Sequence, residues 1–119
     1  MDFQRLRDID ALFAHRWDVF VIASLAEEGP LRFNQLAHAV SEHTRTRMID
    51  STLARTKDRL IRTGLIVATD DGDGHAAYSL TATGWAKAKM IRAITDALAP
   101  PDKPVDEGKD NGEPPSRAA

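Results

Sequence analysis

The spacing of apolar residues along the chain predicts five helices and one β-hairpin. Two short apolar runs, residues 65–69 and 76–80, predict the strands of the hairpin, because they flank a loop rich in aspartate and glycine. Apolar residues recur every three or four positions, as on one face of a helix, in residues 2–14, 17–27 and 32–40, from Thr44 or Thr46 to Thr63, and from Thr81 to about Leu98. The order of four helices, a hairpin and a last helix predicts a mainly α-helical winged helix-turn-helix domain with an extra helix at each end.

The third and fourth helices form the predicted helix-turn-helix unit. Gly29-Pro30 separates this unit from the second helix, because proline lacks the amide proton that a continuing helix needs. In such units the second helix enters the major groove of DNA, so the fourth helix is the predicted recognition helix. Its inward stripe is expected to contain Ile49, Leu53, Thr56 and Leu60.

The charge of the chain is unevenly distributed. The formal net charge is −2, yet residues 43–62 carry six arginine and lysine residues and two aspartates, a local charge of +4. Phosphate groups respond to the local field, so this segment predicts DNA binding. We expect residues 1–98 to form one domain that includes the terminal helices. Residues 99–119, rich in proline, glycine and acidic residues, are expected to be a disordered tail.

Ten residues are candidates for contact with double-stranded DNA. Arginine can bridge two acceptors of guanine, and hydroxyl groups can contact other base edges. Arg32 and Asn34 begin the third helix, whose free amides favour a phosphate. Near the ends of the fourth helix, Arg45, Arg59 and Arg62 are suited to phosphates. Asp50 could contact a base or instead hold Arg47 in place. The expected groove contacts are Thr46, Arg47, Asp50, Ser51 and Arg55.

The terminal helices predict a homodimer. Their apolar faces exceed what the core of a small domain can cover. Pairing them across a two-fold axis would bury both faces and place two recognition helices about one DNA turn apart. The alternative is that both helices pack on their own core. The residues expected at the dimer interface are Phe3, Leu6, Phe13, Trp85, Ile91, Ile94 and Leu98.

Other classes of function have little support in the sequence. The chain has no cysteine, which excludes thiolate metal sites and thiol redox switches. His38, Glu42 and His43 straddle a predicted helix end, and the aspartates of the hairpin loop lack the spacing of a calcium site. We therefore expect no metal and no cofactor.

Without a nucleophile elbow or a phosphate-binding glycine loop, no enzymatic activity is expected. No apolar run is long enough to cross a membrane, so a cytoplasmic location is expected.

A set of short motifs covers about residues 14–90. They are Arg16-Trp17 with Val21-Ile22 and Leu25, Gly29-Pro30-Leu31-Arg32-Phe33-Asn34-Gln35-Leu36, Arg47-Met48-Ile49, Gly64-Leu65-Ile66, and Tyr78-Ser79-Leu80-Thr81 with Gly84. In these motifs the chain resembles the HxlR-type family of bacterial winged helix-turn-helix transcription regulators. The resemblance implies the fold, DNA binding and dimerisation. Several relatives sense oxidants through an N-terminal cysteine, which this chain lacks, so redox sensing is not implied.

The sequence therefore predicts a homodimeric repressor that binds a pseudo-palindromic operator. The alternative is a winged-helix module whose partner is a protein, which the acidic hairpin loop and the acidic tail favour. A third hypothesis, compatible with the first, is a sensor for an unidentified small-molecule effector. Its pocket would be lined by Trp17, Phe20, Phe33 and Trp85.

Overall fold

The computed structural model describes residues 1–100, so the predicted tail lies almost entirely outside the described residues. The described part contains five helices and a three-stranded antiparallel sheet with strand order β1-β3-β2. The predicted winged helix-turn-helix fold is confirmed. None of the helices in this part of the chain is long and apolar enough to cross a membrane. The elements are α1 (Phe3–Leu12), α2 (Asp18–Glu28), β1 (Leu31–Arg32), α3 (Phe33–Thr44), α4 (Asp50–Arg62), β2 (Ile66–Asp70), β3 (Ala76–Leu80) and α5 (Ala82–Ala97).

The helix α2 lies at the centre of the core and contacts helices on several sides as well as β3. Its Ile22 and Leu25 are almost completely buried. Burying one such side chain contributes about 1.5–3 kcal/mol, so this cluster fixes the positions of α3 and α4 around α2. The other side chains below 2% exposure include Leu36, Val40, Leu53, Leu60 and Ile66.

The turn between α3 and α4 differs from the prediction. α3 continues to Thr44, and α4 begins at Asp50, not at Thr44 or Thr46. The hydroxyl of Thr44 donates to the Val40 carbonyl at 2.8 Å, a bond back into the preceding helix. The same oxygen accepts from the Thr46 amide at 3.2 Å. Thr44 therefore closes α3 instead of starting α4, since a threonine hydroxyl can serve either role.

Residues 45–49 form this turn, and they change the predicted inner face of α4. Arg45 has a φ of 57°, in the left-handed region that favours glycine. Ile49, predicted to point inward, is the N-cap residue of α4 and is 66% exposed. Met48 is buried in the core just before it. The rest of the predicted stripe, Leu53, Thr56 and Leu60, is buried as expected.

The sheet contains one strand that the sequence did not predict. The two-residue strand β1 pairs with β3, with Leu31 opposite Tyr78 and Arg32 opposite Ala77. The predicted hairpin of β2 and β3 is present, and its register runs from Ile66–Leu80 to Asp70–Ala76. The backbone of β1 thus joins the hairpin to the first residue of α3.

The end of the hairpin is closed by tight packing against α5. The Thr81 hydroxyl donates to the Gly64 carbonyl at 2.6 Å and accepts from the Gly84 amide, which confirms Thr81 as the cap of the last helix. A Cβ atom on Gly84 would lie 2.1 Å from the Leu65 carbonyl oxygen. Only glycine fits at this position, so α5 is held close to the segment that links α4 to β2.

Candidate nucleic-acid interface

The outer face of α4 is exposed, polar and basic. Burial of Leu53, Thr56 and Leu60 turns the opposite side of the helix toward solvent. Asp50, Ser51, Arg55 and Arg62 are all exposed on α4. Within residues 1–100, neither Arg55 nor Arg62 forms an ion pair, so both guanidinium groups retain their donors for an external partner.

Three of the predicted contact residues precede α4. Arg45, Thr46 and Arg47 are exposed in the turn and do not lie on the helix as predicted. In helix-turn-helix proteins the N-terminal residues of the recognition helix contact base edges. The turn places two arginines before the N-terminal end of α4, which corresponds to the base-contacting end of a recognition helix. The predicted helical spacing of these residues was wrong.

Arg59 has an internal partner. Its Nη2 group donates to Oδ1 of Asp18 in the first turn of α2. The side chains of Arg59 and Asp18 are only 23% and 13% exposed. This arginine was predicted to contact phosphate, and the structure instead places it between α4 and α2. The Arg59–Asp18 pair thereby contributes to positioning α4 against α2.

Lys57 is also engaged within the chain. Its ammonium group lies 2.7 Å from Asp58 Oδ1 and 5.5 Å from the centre of the Tyr78 ring. The hydrogen bond to Asp58 raises the pKa of Lys57. A cation above an aromatic ring is attracted by the ring quadrupole, so Lys57 links α4 to β3.

Arg32, predicted to contact phosphate, forms what we call the wing clasp with Asp71 and Asp73. Its Nε donates to Asp71, and its Nη2 donates to Asp73 at 3.2 Å. The backbone amide of Asp73, followed by the Arg32 guanidinium, holds the pKa of Asp71 below its usual range. Asn34, the other residue predicted at this helix start, is exposed. Sequence reasoning missed the clasp because only the β1–β3 pairing brings residues 39 positions apart together.

The predicted dimerisation residues divide into two groups. Ile91 is 8% exposed within the core of its own chain, and Ile94 packs against that core. The five others leave α1 and one side of α5 with an uncovered apolar surface: Phe3 at 64%, Leu6 at 46%, Phe13 at 53%, Trp85 at 52% and Leu98 at 78% exposure.

The residues proposed for an effector pocket lie in different places. Trp85 lines a cavity of about 460 Å³ between α2 and α5, whereas Phe33 lines one of about 430 Å³ at the start of α3. Trp17 packs against the core with the Arg16 guanidinium 4.6 Å from its ring centre. Trp85 and Phe33 therefore line different cavities and not one pocket.

One of the two histidines on α3, His43, forms an ordinary surface contact. His43 Nε2 lies 2.8 Å from Glu28 Oε2. Within residues 1–100, no three histidine or acidic side chains are grouped as metal ligands would be.

Several solved structures have a similar fold. MepR, a transcription regulator of the Staphylococcus aureus multidrug efflux pump MepA, is 17% identical, with a TM-score of 0.64 over 77% of this chain and 65% of that one. A MarR family transcriptional regulator from Silicibacter pomeroyi is 23% identical, with a TM-score of 0.63 over 81% of this chain and 66% of that one. This chain thus spans slightly less than two thirds of either regulator.

A better match in length is found in the diamide-treated YodB of B. subtilis. It is 19% identical, with a TM-score of 0.60 over 82% of this chain and 95% of that one. No curated protein sequence matches the chain. At sequence level, however, the profile of the HxlR-like helix-turn-helix family matches residues 12–99. That range covers most of the chain and every element from the end of α1 to α5, and this protein therefore belongs to the HxlR-like helix-turn-helix family.

Proposed function

We propose that this protein is a DNA-binding transcription regulator that reads DNA with α4 and the turn before it. One observation carries the proposal: the exposed face of α4 carries arginines that form no ion pair within residues 1–100, while its opposite face is buried in the core. This is the arrangement that the second helix of a helix-turn-helix unit needs to enter the major groove. Membership of a helix-turn-helix family is consistent with it.

The roles proposed for individual residues follow from their positions. Arg47, Ser51 and Arg55 would contact base edges, together with Thr46 and Asp50. Arg45, near the start of α4, and Arg62, at its end, would contact phosphates. Asn34 at the start of α3 is a further candidate for the DNA backbone. Arg59 is assigned to the internal pair with Asp18 instead.

We further propose that the regulator acts as a homodimeric repressor on a pseudo-palindromic operator. The exposed apolar surface of α1 and α5 supports the dimer, because burying such a surface is favourable and a two-fold axis would bury two copies at once. Two recognition helices related by this axis would match two half-sites.

The second candidate is a winged-helix module that binds a protein. The aspartates at the tip of the hairpin favour it, since they would repel a phosphate backbone. Salt dependence separates the two functions. A DNA complex with six to ten phosphate contacts loses about 10³–10⁵ in affinity between 50 and 200 mM salt, whereas a protein complex has a much shallower dependence.

The test is an electrophoretic mobility shift with the DNA upstream of the protein's own gene. The double variant Arg47→Ala/Arg55→Ala is expected to bind about 30-fold or more weakly, because each arginine at a base edge contributes about 1–3 kcal/mol. Arg5→Ala/Arg7→Ala removes the same charge from α1 and serves as the control, once sedimentation shows that this variant has the same oligomeric state as the wild type. Equal binding by the Arg47/Arg55 variant and this control would refute the assignment of α4. If the wild type itself gives no shift but sediments as a folded dimer, a protein partner becomes the better hypothesis.

A further inference from the structure

The wing clasp occupies the side of Arg32 that an anion would use. Arg32 lies at the N-cap of α3, where free amides and the helix dipole favour a phosphate. Its Nε and Nη2 groups, which together can bridge two oxygens of one phosphate, are both directed at carboxylates of the hairpin loop. Arg32 is 41% exposed at its side chain, so it lies at the surface and yet is already paired.

The hairpin loop is built to hold its carboxylates in this position. Asp70 accepts from the amides of Gly72 at 2.8 Å and Gly74 at 3.2 Å. Asp71 uses one oxygen to accept from the Asp73 amide at 2.9 Å and the other to accept from Arg32. Such side-chain bonds to nearby amides fix the loop backbone. The loop conformation therefore does not depend on Arg32 alone.

The strand pairing fixes the other side of the clasp. Arg32 lies opposite Ala77 on β3, within a few residues of the loop. The backbones of both partners are thus held by hydrogen bonds, so pairing costs only the freedom of the side chains themselves.

The local charge also opposes DNA. Asp70, Asp71 and Asp73 outnumber Arg32, so the tip of the hairpin together with the start of α3 is negative. By contrast, residues 43–62 carry a local charge of +4. DNA is therefore attracted by residues 43–62 and repelled by the tip of the hairpin.

We propose that Asp71 and Asp73 act as an intramolecular competitor of DNA phosphate for Arg32, so that the free protein blocks part of its own DNA-binding surface. This inference rests on the proposed function. In the complex, the hairpin stays against α3 and Arg32 adds little to affinity. Neutralising the two carboxylates releases Arg32 for a phosphate and strengthens binding.

The test is a double-mutant cycle on DNA affinity with Arg32→Gln, Asp71→Asn/Asp73→Asn and the variant combining all three changes. Asparagine keeps an oxygen that accepts from the loop amide, so the loop is preserved. A gain in affinity from Asp71→Asn/Asp73→Asn is insufficient by itself, because any lost negative charge favours DNA. Asp8→Asn/Asp10→Asn on α1 measures that general effect, and the cycle isolates the coupling between Arg32 and the loop.

Arg32→Gln is expected to change affinity less than about threefold in the wild type. In the Asp71→Asn/Asp73→Asn background it is expected to weaken binding about 10-fold and to reduce the salt slope by about one. An equal factor in both backgrounds would overturn the proposal, as would a 10-fold loss in the wild type. If the wild type binds no DNA at any salt concentration, the proposed function fails and the competition falls with it. That result can be distinguished from failure of the competition alone, in which the wild type binds DNA but the cycle shows no coupling between Arg32 and the loop.

Discussion

Asp18 on α2 and Arg59 on α4 form an ion pair that joins the central core helix to the proposed recognition helix, across 41 positions of sequence. Both side chains are largely buried. A charge in such a place is tolerated only when its partner is present. The pair therefore explains why one of the arginines on α4 is turned away from solvent.

Removal of Asp18 should leave an uncompensated charge inside the fold. Asp18→Ala is expected to lower the free energy of unfolding by about 2 kcal/mol, less than for a fully buried pair because Arg59 retains some exposure. Urea denaturation measures the change. Arg62→Ala, an exposed arginine on the same helix, should stay within about 0.5 kcal/mol of the wild type. Equal effects of the two changes would mean that the pair contributes nothing to stability.

The N-cap of α4 offers room for stabilisation. Ile49 caps the helix without a side-chain hydrogen bond, and its backbone already has the extended conformation of an N-cap residue. Ile49→Ser is expected to raise stability by about 1 kcal/mol, because the serine hydroxyl can accept from a free amide of the first turn. Thermal unfolding measures the change. Ile49→Ala serves as the control, because it removes the apolar side chain without adding a capping hydroxyl.

An alanine substitution four residues later, at Leu53, should lower the stability instead of raising it. Leu53 is completely buried, and Leu53→Ala is expected to cost about 2–5 kcal/mol. If Ile49→Ala were as destabilising as Leu53→Ala, Ile49 would have to be a core residue, as its spacing in the sequence suggested.

The wing clasp predicts a pH dependence. The pKa of Asp71 is lowered, first by the Asp73 amide and then by Arg32. Because the folded-state pKa is below the unfolded value of about 3.9, the ionised carboxylate stabilises the fold above that value. The contribution is lost as the pH falls through the folded-state pKa.

A carboxyl-detected NMR titration from pH 2 to 6 measures this pKa directly. Arg32→Gln should raise the pKa of Asp71 only part of the way to the ordinary value, since the Asp73 amide remains. An ordinary pKa for Asp71 in the wild type would contradict the hydrogen bonds of the loop.

The sequence predicted those elements whose signal is repeated along the chain. The buried stripe of Leu53, Thr56 and Leu60 and the hairpin strands are each supported by several residues at regular spacing. Thr81 was identified because a helix N-cap has a short and specific chemistry.

Features that depend on one residue or on distant pairing were missed. Thr44 could close one helix or open the next, and only its bond to Val40 decides between them. β1 has two residues, too few to show alternation. The clasp and the Asp18–Arg59 pair each join residues about 40 positions apart, and charge pattern alone does not predict such pairs.

At Arg45, the left-handed residue after α3, the backbone conformation and the proposed role of the side chain favour different amino acids. Arg45 has a backbone conformation that glycine adopts freely and that costs other residues about 1 kcal/mol. Selection for heat resistance alone would therefore favour glycine at this position. Under the proposed function, in which Arg45 contacts phosphate, selection for DNA binding would keep the guanidinium group. A library of variants at residue 45, sorted separately for thermal tolerance and for operator occupancy, should thus give two different preferred residues.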